Sequence, residues 1–131
     1  MGLDLLDIIF RLEKAFSIKI QRGEELQLLG GRPAKQMTAG TIYDFVIGRL
    51  RDRWPAAPGG SFETDQHCFV CGYNLRGLSV DGACPECGNH PLHFEPYVWR
   101  GVCHVLEVAV GAQPEKIRPE TRLVSDLGAS F

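Results

Sequence analysis

The chain has no apolar run of roughly 18 residues, so its sequence holds no membrane-spanning helix. It also lacks an excess of either charge. Its 14 basic residues are set against 16 acidic ones, for a net charge of −2. That balance implies no strong electrostatic pull toward nucleic acid or a membrane surface. The first residues form no uninterrupted apolar stretch of the signal-peptide kind, because Asp4, Asp7, Arg11 and Glu13 break it up. Met1-Gly2 does not read as a myristoylation signal, since Leu6 stands where Ser or Thr is required. There is no G-x-S-x-G elbow, no glycine-rich phosphate loop after a strand, and no grouping of acids that marks a catalytic centre. Gly30-Gly31 and Gly59-Gly60 read as turns. Internal repeats and low-complexity segments are missing too. The expectation is a soluble, cytoplasmic, non-enzymatic protein, and 131 residues make one ordinary domain or two small ones.

What the chain does have is cysteine in a pattern. Four of its five cysteines form two matched pairs, Cys68-Phe69-Val70-Cys71-Gly72 and Cys84-Pro85-Glu86-Cys87-Gly88, with twelve residues between them. Each pair has the shape of a zinc knuckle, in which two thiolates flank a tight turn. The glycine that follows lets backbone amides point at sulfur without a Cβ clash. Two knuckles supply four soft ligands, enough for a closed tetrahedral Zn²⁺ site. Such a site keeps no open position for substrate, so its expected role is structural. Iron in a rubredoxin-like site is the competing occupant, because ligand spacing does not separate the two metals. Paired disulfides would need an oxidising compartment, and a thioredoxin-type redox motif is single. His67, His90 and His93 flank the knuckles and are expected to face solvent or support the ligands rather than replace one. Cys103 lies in an apolar helical stretch and reads as a buried small hydrophobe.

Periodicity predicts three helices. Leu3 to Phe16 is helical, with Leu3, Leu6, Ile9, Phe10 and Phe16 on one broad face and Asp7, Arg11 and Lys14 on another. A second helix runs from an N-cap at Thr38 to about Arg53, carrying Ile42, Phe45, Val46, Arg49 and Leu50 at helical spacing. A short turn is expected around Glu24–Leu28. A third helix runs from about Pro96 to Val110, with Gly111 as its stop and Val98, Val102, Val105, Leu106 and Ala109 on one face. After it, Ile117, Leu123 and Leu127 read as apolar anchors in a loop. Residues 55–61 are a linker by composition, and the ribbon occupies 62–95. Tyr73, Leu75, Leu78 and Val80 are expected to form its small strands and mini-core. So short a segment needs metal binding as its folding energy. Chelation is therefore expected to unfold the ribbon and leave most of the helical signal.

The chain ends Thr121-Arg122-Leu123-Val124-Ser125-Asp126-Leu127-Gly128-Ala129-Ser130-Phe131. This resembles the loop of acyl carrier proteins that leads into their Asp-Leu-Gly-x-Asp-Ser-Leu-Asp motif. Val98–Gly111 resembles that family's first helix. The start, Leu3-Asp4-Leu5-Leu6-Asp7-Ile8-Ile9-Phe10, is similar to its second helix, including the Leu-Asp after the modified serine. Met37-Thr38-Ala39-Gly40-Thr41-Ile42-Tyr43-Asp44-Phe45-Val46 is similar to its last. The first helix thus stands at the end. The resemblance implies a mainly α, circularly permuted carrier-like helical bundle made of 1–54 and 96–131, with a small β zinc ribbon inserted between the old C- and N-termini.

Members of that family carry 4′-phosphopantetheine on the motif serine, and its thiol holds acyl groups as thioesters. Forward alignment from Asp126 puts Phe131 at the serine position, and backward alignment from Leu3-Asp4 puts Gly2 there. Neither can be modified. Ser130 stands one place early and is the candidate attachment site, since a helix N-terminus favours a phosphodiester. The resemblance implies a protein-interaction module with a degenerate phosphopantetheine site. One alternative is a working carrier modified on Ser130, served by acyl-transfer or biosynthetic enzymes. The family's acidic second helix is matched here by a mixed face, Asp4, Asp7 and Glu13 among Arg11 and Lys14, which should attract basic partners less strongly. The ribbon is similar to zinc ribbons of short bacterial proteins, which raises a second alternative, an adaptor for nucleic acid. Arg76 could contact phosphate, but Asp65, Asp81, Glu86 and Glu95 surround it in sequence and no basic stripe is present. Free ends at the junction also admit strand exchange into a swapped dimer.

Overall fold

In the computed structural model, which describes residues 3–21, 36–54, 60–63, 65–88 and 93–128, three helices carry most of the core. They are α1 (Leu3–Phe16), α2 (Ala39–Leu50) and α3 (Phe94–Val110). A 3₁₀ turn, Arg51–Arg53, prolongs α2, and a second, Pro114–Lys116, follows α3. α3 begins two residues earlier than Pro96, and Pro96 sits in its first turn, where its missing N–H costs no helical bond. No helix among the described residues is long and apolar enough to cross a membrane.

Each helix end has a local cause. Thr38 caps α2 reciprocally: its Oγ1 accepts the Thr41 N–H at 3.2 Å, and its own N–H donates to Thr41 Oγ1 at 3.3 Å. α1 stops at Ser17, which takes a left-handed φ of 54°. The Ile18 N–H then donates back to the Glu13 carbonyl at 3.2 Å, closing a Schellman turn. α3 stops at Gly111, as expected, with φ 69°.

α3 packs against both α1 and α2. Its contact with the end of α1 depends on Gly101: a Cβ there would lie 2.4 Å from Phe16 Cζ and 2.7 Å from Cε1. The buried stripe of α1 is Leu5, Ile8, Leu12 and Phe16. This corrects the sequence expectation, because Leu6 and Phe10 are 51% and 54% exposed. α1 is apolar around more than half its girth, and the 5-8-12-16 row is the one that meets α3. The faces expected of α2 and α3 are buried at Ile42, Val46 and Leu50 and at Val98, Val102, Val105 and Leu106.

The loop after α3 docks on the start of α2. The Ala39 N–H donates to the Thr121 carbonyl at 2.9 Å, Gly40 to Pro119 at 2.8 Å, and Leu123 to Met37 at 3.1 Å. Two of the unpaired amides of a helix N-terminus thereby find partners. Ile117 and Leu123 are buried anchors, and Leu127 packs partly against the core.

The cysteine-bearing segment leaves the bundle after α2 and returns at α3. Trp54 marks both points: its ring centroid is 4.9 Å from that of Phe62 and 5.2 Å from those of Phe94 and Tyr97. Phe62, Leu75 and Val80 are buried in the same cluster as the helices. Extended strands do not form in the described residues of this segment, which show only the isolated bridges Ser61–Ser79 and His67–Asn74. Tyr73 departs from the expected mini-core; it is 38% exposed, while its carbonyl accepts the Cys68 N–H at 2.8 Å. The turn expected near Glu24–Leu28, and with it His90, Gly2, Ser130 and Phe131, lies outside the described residues.

Candidate metal centre

The two knuckles are built alike. In each, the glycine after the second cysteine has a left-handed φ, 80° at Gly72 and 76° at Gly88. That conformation turns the Gly72 N–H back to the Cys68 carbonyl at 2.9 Å and the Gly88 N–H to the Cys84 carbonyl at 2.8 Å. These glycine amides thus close the turns through oxygen.

The turns bring the thiols of Cys68, Cys71, Cys84 and Cys87 together, with all four Sγ atoms within 4.8 Å of one another. Cys71 Sγ is 3.4 Å from Cys84 Sγ, and Cys68 Sγ is 3.6 Å from Cys87 Sγ. None is in a disulfide. The first cysteine of each knuckle is buried and the second is exposed. The four residues could hold a metal ion, and no histidine among the described residues joins the cluster.

The thiols of the cluster are held at unequal acidity. Burial opposes ionisation of Cys84, but the backbone amides of Cys87 and Glu86 and the thiols of Cys71 and Cys87 outweigh it, so its pKa falls below the ordinary thiol value. At Cys71 the Tyr73 amide favours the thiolate. Burial and the other three sulfurs more than cancel this, pushing the thiol up to about 12. A bound cation would favour the thiolate at each of the four sulfurs.

The first knuckle is fastened to the helices by residues that sequence reading missed. Gln66 is fully buried, and its Nε2 donates to the Phe16 carbonyl at 3.0 Å, at the end of α1. Its Oε1 is buried without a hydrogen-bond partner. Tyr97, in the first turns of α3, accepts the Phe69 N–H on its hydroxyl at 3.1 Å and donates to the His67 carbonyl at 3.4 Å. Its ring lies 5.0 Å from that of Phe69, and burial raises its pKa above the usual tyrosine value. A tyrosine next to the apolar stripe of a helix was the only available signal.

The flanking histidines take supporting places. His67 Nδ1 lies 3.2 Å from Ser17 Oγ, and His93 Nε2 lies 2.7 Å from Asp81 Oδ1, tying the start of α3 to the segment. Arg76 Nη1 is 3.4 Å from Asp65 on an exposed surface. Cys103 is half-buried in α3, and burial, aided by the charge of Glu107, pushes its thiol up to about 11. Comparison of the chain with protein-family models, with curated proteins and with solved structures finds no match.

Proposed function

We propose that Cys68, Cys71, Cys84 and Cys87 hold one structural Zn²⁺ in a carrier-like helical protein that binds protein partners and catalyses nothing itself. A tetrahedral Zn–S distance of about 2.3 Å sets sulfurs roughly 3.8 Å apart. The separations here, from 3.4 Å up to 4.8 Å, bracket that value. The observation that carries the reading is the sharing of one core between the ribbon and the helices: Phe62, Leu75, Val80, Cys68 and Cys84 cluster with the buried faces of α1, α2 and α3. A metal placed there clamps the bundle and offers no site for a reaction.

The permuted-carrier reading draws support from two features. The ribbon leaves and re-enters at one place, around Trp54, as an insertion between neighbouring helix ends would. The loop 117–123 docks on the start of α2, joining the two outer parts of the chain. With Gly2 and Phe131 at the serine position, the carrier fold serves recognition. The protein partners of such a module would be acyl-transfer or biosynthetic enzymes.

The test is intact mass after incubation with coenzyme A and a broad-specificity phosphopantetheinyl transferase, together with zinc content. The expected result is one zinc per chain and no added phosphopantetheine. A gain of one phosphopantetheine that disappears in Ser130→Ala would replace this reading with that of a working carrier.

A further inference from the structure

A groove of about 240 Å³ runs between α1 and α3 above the first knuckle. Its floor is apolar: Ala15 from α1, Phe69 from the knuckle, and Val105 and Val108 from α3. Its edge carries Arg11, Lys14 and His104, and no lining residue is acidic. Outside the lining, Asp7 takes Arg11 Nε at 3.0 Å, one helical turn back, and offsets part of its charge. On a chain with a net charge of −2, the groove sets the cations Arg11 and Lys14 at the edge of an apolar floor with no acid in its lining.

Size and shape narrow the occupant. Sites for cofactors and drug-sized ligands usually enclose about 300–1,000 Å³. This groove is smaller and open to solvent, which suits one or two side chains of a protein segment. Apolar surface is exposed within the groove and past its edge: Val108 in the floor is 50% exposed and Phe10 beyond it 54%, with Lys14 Nζ 4.5 Å from the Phe10 ring centroid. Large apolar side chains left exposed beside basic ones match a partner that supplies both an apolar anchor and carboxylates.

We propose that this groove docks a short acidic segment of a partner protein, with an apolar residue seated on Phe69, Val105 and Val108 and carboxylates facing Arg11, Lys14 and His104. The proposal rests on the interaction-module reading and names the chemistry of the partner.

The probe is a fluorescein-labelled peptide with a Phe-Leu centre flanked by Glu and Asp, titrated by anisotropy against the zinc-loaded full chain. Binding should weaken about tenfold in Lys14→Glu and again in Val108→Glu, should fall with added salt, and should be unchanged in Arg122→Glu, a control on the loop docked at α2. A peptide with the same centre flanked by Lys should bind at least about tenfold more weakly. Circular dichroism checks that each variant is folded, and the salt series on the unmutated chain needs no variant. Equal binding of acidic and basic peptides, unchanged affinity in both folded variants, or displacement of the peptide by a single-stranded oligonucleotide would overturn the proposal. The two readings fail separately. Peptide binding lost with zinc present and no phosphopantetheine added sinks the groove alone, whereas phosphopantetheine added with peptide binding intact sinks the module and leaves the groove.

Discussion

Removing a metal held by the four cysteines should cost the protein its helices as well as its cysteine-bearing segment. Two separate modules, as the spacing of the sequence suggests, would give the opposite result. The decision lies in the core. Phe62, Leu75 and Val80 are each no more than 6% exposed and sit in the cluster that buries the helices. Exposing side chains of this kind costs about 1.5–3 kcal/mol apiece, or roughly 5–9 kcal/mol for the three. Trp54 and Tyr97 would also lose aromatic partners in Phe62 and Phe69. Domains are stable by only about 5–15 kcal/mol, so an unfolded ribbon uncovers enough core to melt much of the bundle. The assay is far-ultraviolet circular dichroism and thermal melting before and after a zinc chelator, with a thiol-reactive dye confirming that four cysteines have become available. The expected outcome is a large loss of helical signal or a sharply lowered midpoint. A metal-free protein that keeps both, with all four thiols reactive, would refute the argument and show the ribbon and bundle to be independent.

The other predictions are smaller in scale. Gly101→Ala drives a methyl into the Phe16 ring, 2.4 Å away, so overpacking of about 1–3 kcal/mol should outweigh the ~1 kcal/mol that alanine returns in helix propensity; a lowered urea midpoint at unchanged slope would show it. Tyr97→Phe keeps the ring but strips the Phe69 N–H of its acceptor, for an expected loss of about 1–3 kcal/mol in the same assay and faster zinc transfer to a competing chelator. Thr38→Ala removes the hydroxyl that accepts the Thr41 N–H, while the Thr38 N–H keeps its bond to Thr41 Oγ1, and should cost about 1 kcal/mol. Burial raises the Cys103 thiol from 9.0 to about 11, so at pH 8 its thiolate is about a hundredfold scarcer than that of an ordinary thiol, and alkylation of the zinc-loaded chain should be slow in proportion. By the same linkage, the stability that Cys103 contributes is fully present below pH 9 and is lost as pH rises through 11; a melting midpoint that instead climbed over that range would contradict it.

The parts legible in the sequence are those fixed by local chemistry. The Thr38 cap, the stop at Gly111 and the glycine-closed turn of each cysteine pair all depend on neighbours within a few residues, and the structure forms each of them. The face of α1 depends on a remote partner. Leu6, Ile9 and Phe10 are as apolar as Leu5, Ile8 and Leu12, and only the approach of α3 at Gly101 selects between the rows. Gln66 and Tyr97 were illegible for the same reason: a glutamine is fully buried here because the carbonyl at the end of α1 lies beside it, fifty residues away in sequence. Among the described residues the expected strands are cut down to two bridges, each a single pair of cross-strand bonds (Phe62 to Leu78 with Val80 to Gly60, and Cys68 to Tyr73 with Leu75 to Gln66), because knuckles and turns interrupt the pairing on either side.

That first knuckle explains how a metal could act on helices it does not touch. Gln66, His67 and Phe69 reach, respectively, the Phe16 carbonyl, the Ser17 hydroxyl and the Tyr97 hydroxyl. Cys68 lies among them, so its sulfur cannot shift far without dragging the end of α1 or the start of α3. The second knuckle is joined to the first across sulfur, at 3.4 and 3.6 Å, and to the entry of α3 through Asp81 and His93. A bound ion would close loops of up to 19 residues, from Cys68 to Cys87, in the unfolded chain, a constraint of the kind a disulfide imposes. The burial pattern divides the labour: Cys68 and Cys84 face the core and hold the register of the helices, while Cys71 and Cys87 face solvent and are the thiolates that a chelator meets first.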